Sequence, residues 1–123
     1  SSDLGVGIYA YTETMRRISW VKAAFKEFST FPQAVQEQMK YALQVANEGQ
    51  FPDIAKPLKG LDGGVYELVM PHRGDAYRAV YAVQIGDDLW VVHAFQKKST
   101  QGIKTPKHEI DVIRERLKRI KEL

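Results

Sequence analysis

A chain of 123 residues with 44% apolar and 27% charged residues has the make-up of one globular domain with room for a single core. The absence of cysteine excludes disulfides and thiolate metal centres and fits a reducing, cytoplasmic setting, and no run reaches the roughly 18 apolar residues of a membrane span. The formal charge of +3 is unevenly spread: nine Lys/Arg stand against four Asp/Glu from His93 onward, but nine against eleven before it. That imbalance points to a polyanionic partner for the last third, and a solvated helix face accounts for it equally well on charge alone.

Residues 1–15 show no sustained period and no secretory-signal pattern, and read as an arm ahead of a single domain over 16–123. RRISWV (16–21) reads as a short strand leading into a brief helix with apolar Ala24, Phe25 and Phe28. Pro32 opens a second helix, along which Val35, Met39, Leu43 and Ala46 recur at helical spacing until Gly49 stops it. Residues 50–64 read as a loop. Three strands are expected next, over 65–70, 76–85 and 89–97, joined by turns that carry Pro71, Gly74 and Asp75, then Gly86, Asp87 and Asp88. The last of them, LWVVHAF, is apolar on both faces and so belongs inside a sheet with cover on each side. Thr105 and Pro106 offer a cap and a first turn for a final helix whose inward stripe is Ile110, Ile113, Leu117 and Ile120. The expected order is β-α-α-β-β-β-α.

Phosphate-cradling glycine loops, metal-ligand spacings of histidine, and serine hydrolase signatures are all missing, so no cofactor and no metal are expected. What remains is cationic. Arg78 interrupts the apolar strand AYRAVYAV, where it needs either a carboxylate partner such as Glu67 on the neighbouring strand or an exposed face with a role. Alternation puts Arg78 with Val80 and Ala82, and Tyr77, Tyr81 and Val83 on the other face. The last strand ends on Lys97 and Lys98, with Lys104, Lys107 and His108 close behind. Parity allows only one of the lysine pair onto Arg78's face, and Lys98, in step with Trp90 and Gln96, is the favoured one. His93 reads as a satisfied core histidine. Tyr66, Tyr77 and Tyr81 read as packing rather than as stacking platforms for bases.

Taken in order from Ile18 to Leu123, the segments WVKAAFKEF, FPQAV, AKPLKGL, GVYELV, AYRAVYAV, HAFQKKS, KTPKHEID and IRERL resemble the RelE/ParE toxin superfamily. More narrowly, they resemble the phage-derived, HigB-like branch of type II toxin–antitoxin toxins, with HAFQKKS…KTPK the most specific part. The resemblance implies an α/β (α+β) fold with a RelE-like twisted antiparallel sheet, an N-terminal helical hairpin and a C-terminal helix. It also implies a cytoplasmic, ribosome-dependent, metal-independent mRNA endoribonuclease that inhibits translation and is silenced by a cognate helix-turn-helix antitoxin. In that chemistry a ribose 2′-hydroxyl attacks its own 3′-phosphate, and cations, a base and an acid are required.

By the same resemblance Arg78 matches the strand arginine, Lys97 and Lys98 match the terminal basic pair, and His108 lies near a helper residue of some relatives. Arg73, Lys56, Lys59, Lys104 and Lys107 are the expected RNA-binding set. The chain departs from RelE on the strand VYELVM, where Glu67 stands and lysines are missing, so Arg73, Lys56 or Lys59 has to take their part. Two alternatives stay open: a ParE-like toxin that inhibits DNA gyrase, and a non-catalytic phage-derived binding module.

Overall fold

The computed structural model describes residues 17–61, 63–97 and 104–123, with the Gln84 side chain left out; the expected arm at 1–15 lies outside them. Strand β1 (Arg17–Trp20) runs into helix α1 (Lys22–Ser29), and α2 (Gln33–Asn47) follows after one turn. Strands β2 (Ala55–Pro57), β3 (Val65–His72), β4 (Asp75–Ile85) and β5 (Asp88–Lys97) come next, then helix α3 (Lys107–Lys121). The sheet order is β1-β5-β4-β3-β2. All neighbours are antiparallel except β1, which runs parallel to β5 with Arg17 opposite Asp88.

The expected order is borne out with one addition. The stretch read as a loop contains β2, three residues paired to Tyr66–Leu68, too short and too rich in lysine and proline to show a period. Strand β3 also runs further than expected. Pro71 sits inside it opposite Ala76, and the turn is left to Arg73 and Gly74, both at positive φ (49° and 84°), the signature of a two-residue hairpin loop.

Helix α2 buries Val35, Met39, Ala42, Leu43 and Ala46 and stops at Gly49 (φ 88°). There the Gly49 N–H donates to Ala46 O and the Gln50 N–H to Val45 O, a Schellman closure. With Phe28 and Phe31 this stripe packs on one sheet face, against Leu68, Tyr77, Tyr81, Leu89 and Val91. Helix α3 covers the other face with Ile113, Leu117 and Ile120 against Val65, Val80, Ala82 and Val92. The three strand tyrosines are packing: Tyr66 stacks on Tyr81 at 5.5 Å, and Tyr77 meets Phe31 edge-on at 4.9 Å.

Strand β5 is the hinge of this arrangement. Its pairing with β4 shifts by one residue between Val80, opposite His93, and Tyr81, opposite Val91. The extra residue is Val92, a bulge that turns Val92 and His93 toward α3 together. Beyond Val91, where β1 ends, side chains take over the edge of β5: Ala94 N–H donates to Glu27 Oε1 (3.3 Å), and Arg116 Nη1 donates to Val92 O (3.0 Å). Arg116 also grips both Glu27 oxygens, at 2.9 and 3.1 Å. His93, buried as expected, places Nδ1 2.9 Å from Arg116 Nη1 and 3.2 Å from Glu27 Oε1, and Nε2 2.9 Å from Glu109 Oε1. This network ties α1 and α3 to the bulged strand.

Burial pushes the Glu27 carboxyl up, but the Arg116 hydrogen bond, the charges of His93 and Arg116 and the Ala94 N–H outweigh it and leave it below the ordinary value. A folded-state pKa below the unfolded one contributes stability that is complete above the unfolded value and lost as pH falls through the folded one. Thermal melts between about pH 6 and about pH 3 should therefore show an acid limb that is shallower in Glu27→Gln than in the parent.

Candidate functional site

Glu67 lies at the centre of the sheet face that α3 covers, and it is fully buried. A carboxylate there survives only if its oxygens are matched. Arg78 Nη1 donates to Oε1 at 2.8 Å from the next strand, one step diagonally away. Thr105 Oγ1 donates to Oε2 at 2.6 Å, and Lys56 Nζ, directly across on β2, stands 3.7 Å from Oε1. Arg78 Nη1 also reaches Thr105 Oγ1 at 3.5 Å. Of the two solutions open for Arg78, the structure takes the carboxylate partner: its side chain is 4% exposed.

Thr105 is not the helix cap that its position suggests. Helix α3 starts at Lys107 with Pro106 at the cap position and without a side-chain cap bond, because the threonine hydroxyl is committed to Glu67. The residue thereby fastens the approach to α3 onto the sheet.

The bulge at Val92 also changes which terminal lysine belongs here. Upstream of it Trp90 and Val92 face α3, whereas downstream Gln96 faces away and bonds Asp75 Oδ2 at 2.6 Å. The shared parity of Trp90 and Gln96, on which the preference for Lys98 rests, does not survive the bulge. Lys97, opposite Ala76, is the one on Arg78's face, and its Nζ donates to Lys104 O at 3.0 Å. Lys98 lies outside the described residues.

Lys56, Lys59, Glu67, Lys104, Thr105 and Ile110 line an open cleft of about 350 Å³. Of the three replacements considered for the missing strand lysines, Lys56 and Lys59 are in the cleft, while Arg73 sits at the β3–β4 hairpin turn. Lys107 and His108 are exposed in the first turn of α3, with His108 Nε2 3.9 Å from Glu109 Oε2. Sequence reasoning missed Thr105 as a site residue, and the Glu27–Arg116 pair beside His93. The first carries no signal apart from its place between Lys104 and Pro106. The second joins residues 89 positions apart.

Comparison with known proteins identifies the family and the fold. The sequence profile described as phage derived protein Gp49-like (DUF891) matches residues 26–118. Among curated proteins no similar sequence is found. Of the solved structures, the free state of a double arginine-to-alanine mutant of the E. coli toxin RelE is similar with a TM-score of 0.56 and 19% identity, over 86% of this chain and 98% of that one. The toxin–antitoxin complex RelBE2 of Mycobacterium tuberculosis is similar over 70% of this chain and 95% of that one, at 13% identity and a TM-score of 0.48.

Removing one member of a buried ion pair strands the other. Arg78→Ala should lower the unfolding free energy by about 3–5 kcal/mol, and Arg78→Met with Glu67→Leu should recover most of that loss. A double-mutant cycle by denaturant titration checks both values. Thr105→Val removes one hydrogen bond to a buried charge and should cost about 1.5–3 kcal/mol in the same assay.

Proposed function

Because the chain belongs to the phage-derived Gp49-like family and carries the RelE fold, we propose that it is a toxin of a toxin–antitoxin pair that cleaves mRNA on the ribosome. The resemblance to the RelE/ParE superfamily read from the sequence is thus borne out in family and fold. The observation that carries the functional reading is the gathering of five cations from separate parts of the chain. Lys56, Lys59, Lys104, Lys97 and Arg78 meet where β2, β3, β4, β5 and the approach to α3 converge on Glu67.

A phosphate resting on that rim would be met by lysine ammonium groups, with the Arg78 guanidinium in the floor behind them. In-line attack by the 2′-hydroxyl releases its proton to water, forms a bond to phosphorus, breaks the bond to the following 5′-oxygen, and leaves a 2′,3′-cyclic phosphate. Negative charge grows on the phosphoryl oxygens during that step, and fixed cations at the edge of a packed sheet stabilise it without reorganising. Lys97 is the cation best suited to this part, since it stands on Arg78's face and its Nζ is anchored by Lys104 O. Glu67 holds Arg78 and Lys56 in place and is too deeply buried to meet substrate. His108, exposed in the first turn of α3, serves as a proton donor to the leaving oxygen in this reading. Lys107 and Arg73 extend the positive rim, and Lys98 stays a candidate beside Lys97. A cognate helix-turn-helix antitoxin would silence the toxin by covering this surface, with charge complementarity speeding association.

The decisive experiment is induction in cells lacking antitoxin, followed by pulse labelling and transcript mapping. Rapid loss of protein synthesis with cut mRNA is the expected result; DNA-damage signalling over intact mRNA would instead identify a gyrase inhibitor. Lys97→Ala should lower the cleavage rate by roughly a hundredfold, the effect of one well-placed charge-stabilising donor, with an unchanged melting temperature. His108→Ala should lower the cleavage rate while leaving ribosome binding and the melting temperature unchanged.

A further inference from the structure

The five cations at the cleft do not exhaust the positive charge of the last third. On α3, Lys107, Asp111, Arg114, Lys118 and Lys121 recur at intervals of four and three residues and are all exposed, so they form one stripe beside the half-buried Ile110 and the buried Ile113, Leu117 and Ile120. The other two arginines of the helix are engaged elsewhere: Arg116 with Glu27, and Arg119 with Glu115 at 3.4 Å. Along the stripe the one carboxylate is Asp111, 3.5 Å from Arg114 Nη1.

The stripe does not stand alone on the helix. Arg114 Nη2 donates to Gly60 O at 3.0 Å, which lays the segment after β2 against it. Gly60, Leu61, Arg114, Leu117, Lys118 and Lys121 line a second open cleft of about 540 Å³. This cleft shares its two walls, the segment after β2 and helix α3, with the cleft that holds Lys56, Lys59 and Lys104. The two clefts follow one another along these walls as a trough edged by Lys56, Lys59, Lys104, Arg114, Lys118 and Lys121.

We propose that this trough is a track for the phosphodiester backbone of single-stranded RNA, leading away from the cleft at Glu67 along α3 through Arg114, Lys118 and Lys121. The fifteen residues from Lys107 to Lys121 advance the helix by fourteen steps, about 21 Å. That is room for several consecutive phosphates of one strand. The partner is a polyanion of regular charge spacing, and the trough offers it cations with few bases' worth of aromatic surface, so recognition is by backbone charge and independent of sequence. The inference rests on the reading of the protein as an RNA-cleaving toxin and adds where the strand outside the scissile phosphate runs.

The test uses purified full-length protein and a fluorescent, unstructured 20-nucleotide RNA, with affinity measured by anisotropy across a salt series. Arg114→Gln, Lys118→Gln and Lys121→Gln are combined in one variant. Lys22→Gln, Lys26→Gln and Lys40→Gln on the helical hairpin make a control with the same charge change. The trough variant should bind at least about tenfold more weakly at 0.1 M salt, with a log–log salt slope shallower by about 2, three contacts at roughly 0.7 each. The control should stay within about threefold of the parent, and thermal melts of both should match it. In ribosome-dependent cleavage the trough variant should raise KM and keep kcat, because the scissile site is untouched. Equal losses in the two variants, or parental RNA binding by the trough variant, would overturn the track. So would a trough variant that binds RNA normally and loses only its binding to poly-glutamate, since the trough would then serve an acidic protein. Absence of cleavage by the parent protein would count against the proposed activity, while the anisotropy series would still report on the trough.

Discussion

A carboxylate with no exposure to solvent, Glu67, sets the terms for the whole α3 side of the sheet. An unmatched charge at that depth is costly, so the fold must bring donors to it. Arg78 arrives from β4, Lys56 from β2 and the Thr105 hydroxyl from the approach to α3. One buried charge thus decides where the short edge strand sits, how the guanidinium is aimed and where the last helix begins. The lysine rim of the cleft follows from the same constraint, because Lys56, Lys59 and Lys104 flank the segments that Glu67 draws in.

The second organising feature is the partial cover of β5. Strand β1 pairs with it only as far as Val91, and a continuous partner beyond that point is replaced by Glu27 and Arg116. Side-chain donors and acceptors complete the ladder where a strand is missing, and His93 joins them to Glu109 at the start of α3. Both helical layers are therefore anchored to the same few residues of the bulged strand. An edge closed by a charged pair is also poor ground for pairing with another chain.

Much of the fold was legible from pattern. The helical spacing of Val35, Met39, Leu43 and Ala46 and of Ile113, Leu117 and Ile120 marks the buried faces directly, and the alternation around Arg78 puts Val80 and Ala82, and opposite them Tyr77, Tyr81 and Val83, on the correct sides. Three features were not legible, each for a physical reason. Strand β2 is three residues of mixed polarity, shorter than any period that could reveal it. The bulge at Val92 lies within the apolar run LWVVHAF, where one extra residue leaves no trace, yet it reverses the parity used to choose between Lys97 and Lys98. Thr105 and Pro106 carry the composition of a helix start, and a tertiary demand from Glu67 takes the hydroxyl away from that local role. In the candidate site, the cations were readable as residue types, and their convergence required the register.

The parallel pairing of β1 with β5 has a bearing on how the chain comes together. Arg17 and Asp88 are 71 positions apart, whereas β3 and β4 are joined across a two-residue turn. Closing the longer loop costs more conformational entropy, by about 0.6 kcal/mol for each doubling of length, so roughly five doublings separate the two pairings. The β3–β4–β5 meander is favoured to assemble first, and β1 to be the last strand to dock and the first to leave. When it leaves, the backbone of Asp88–Val91 is uncovered on a strand whose remaining edge is already closed by side chains. The opening that results is four residues wide, a narrow window through which amide hydrogens there would exchange ahead of those in the centre of the sheet.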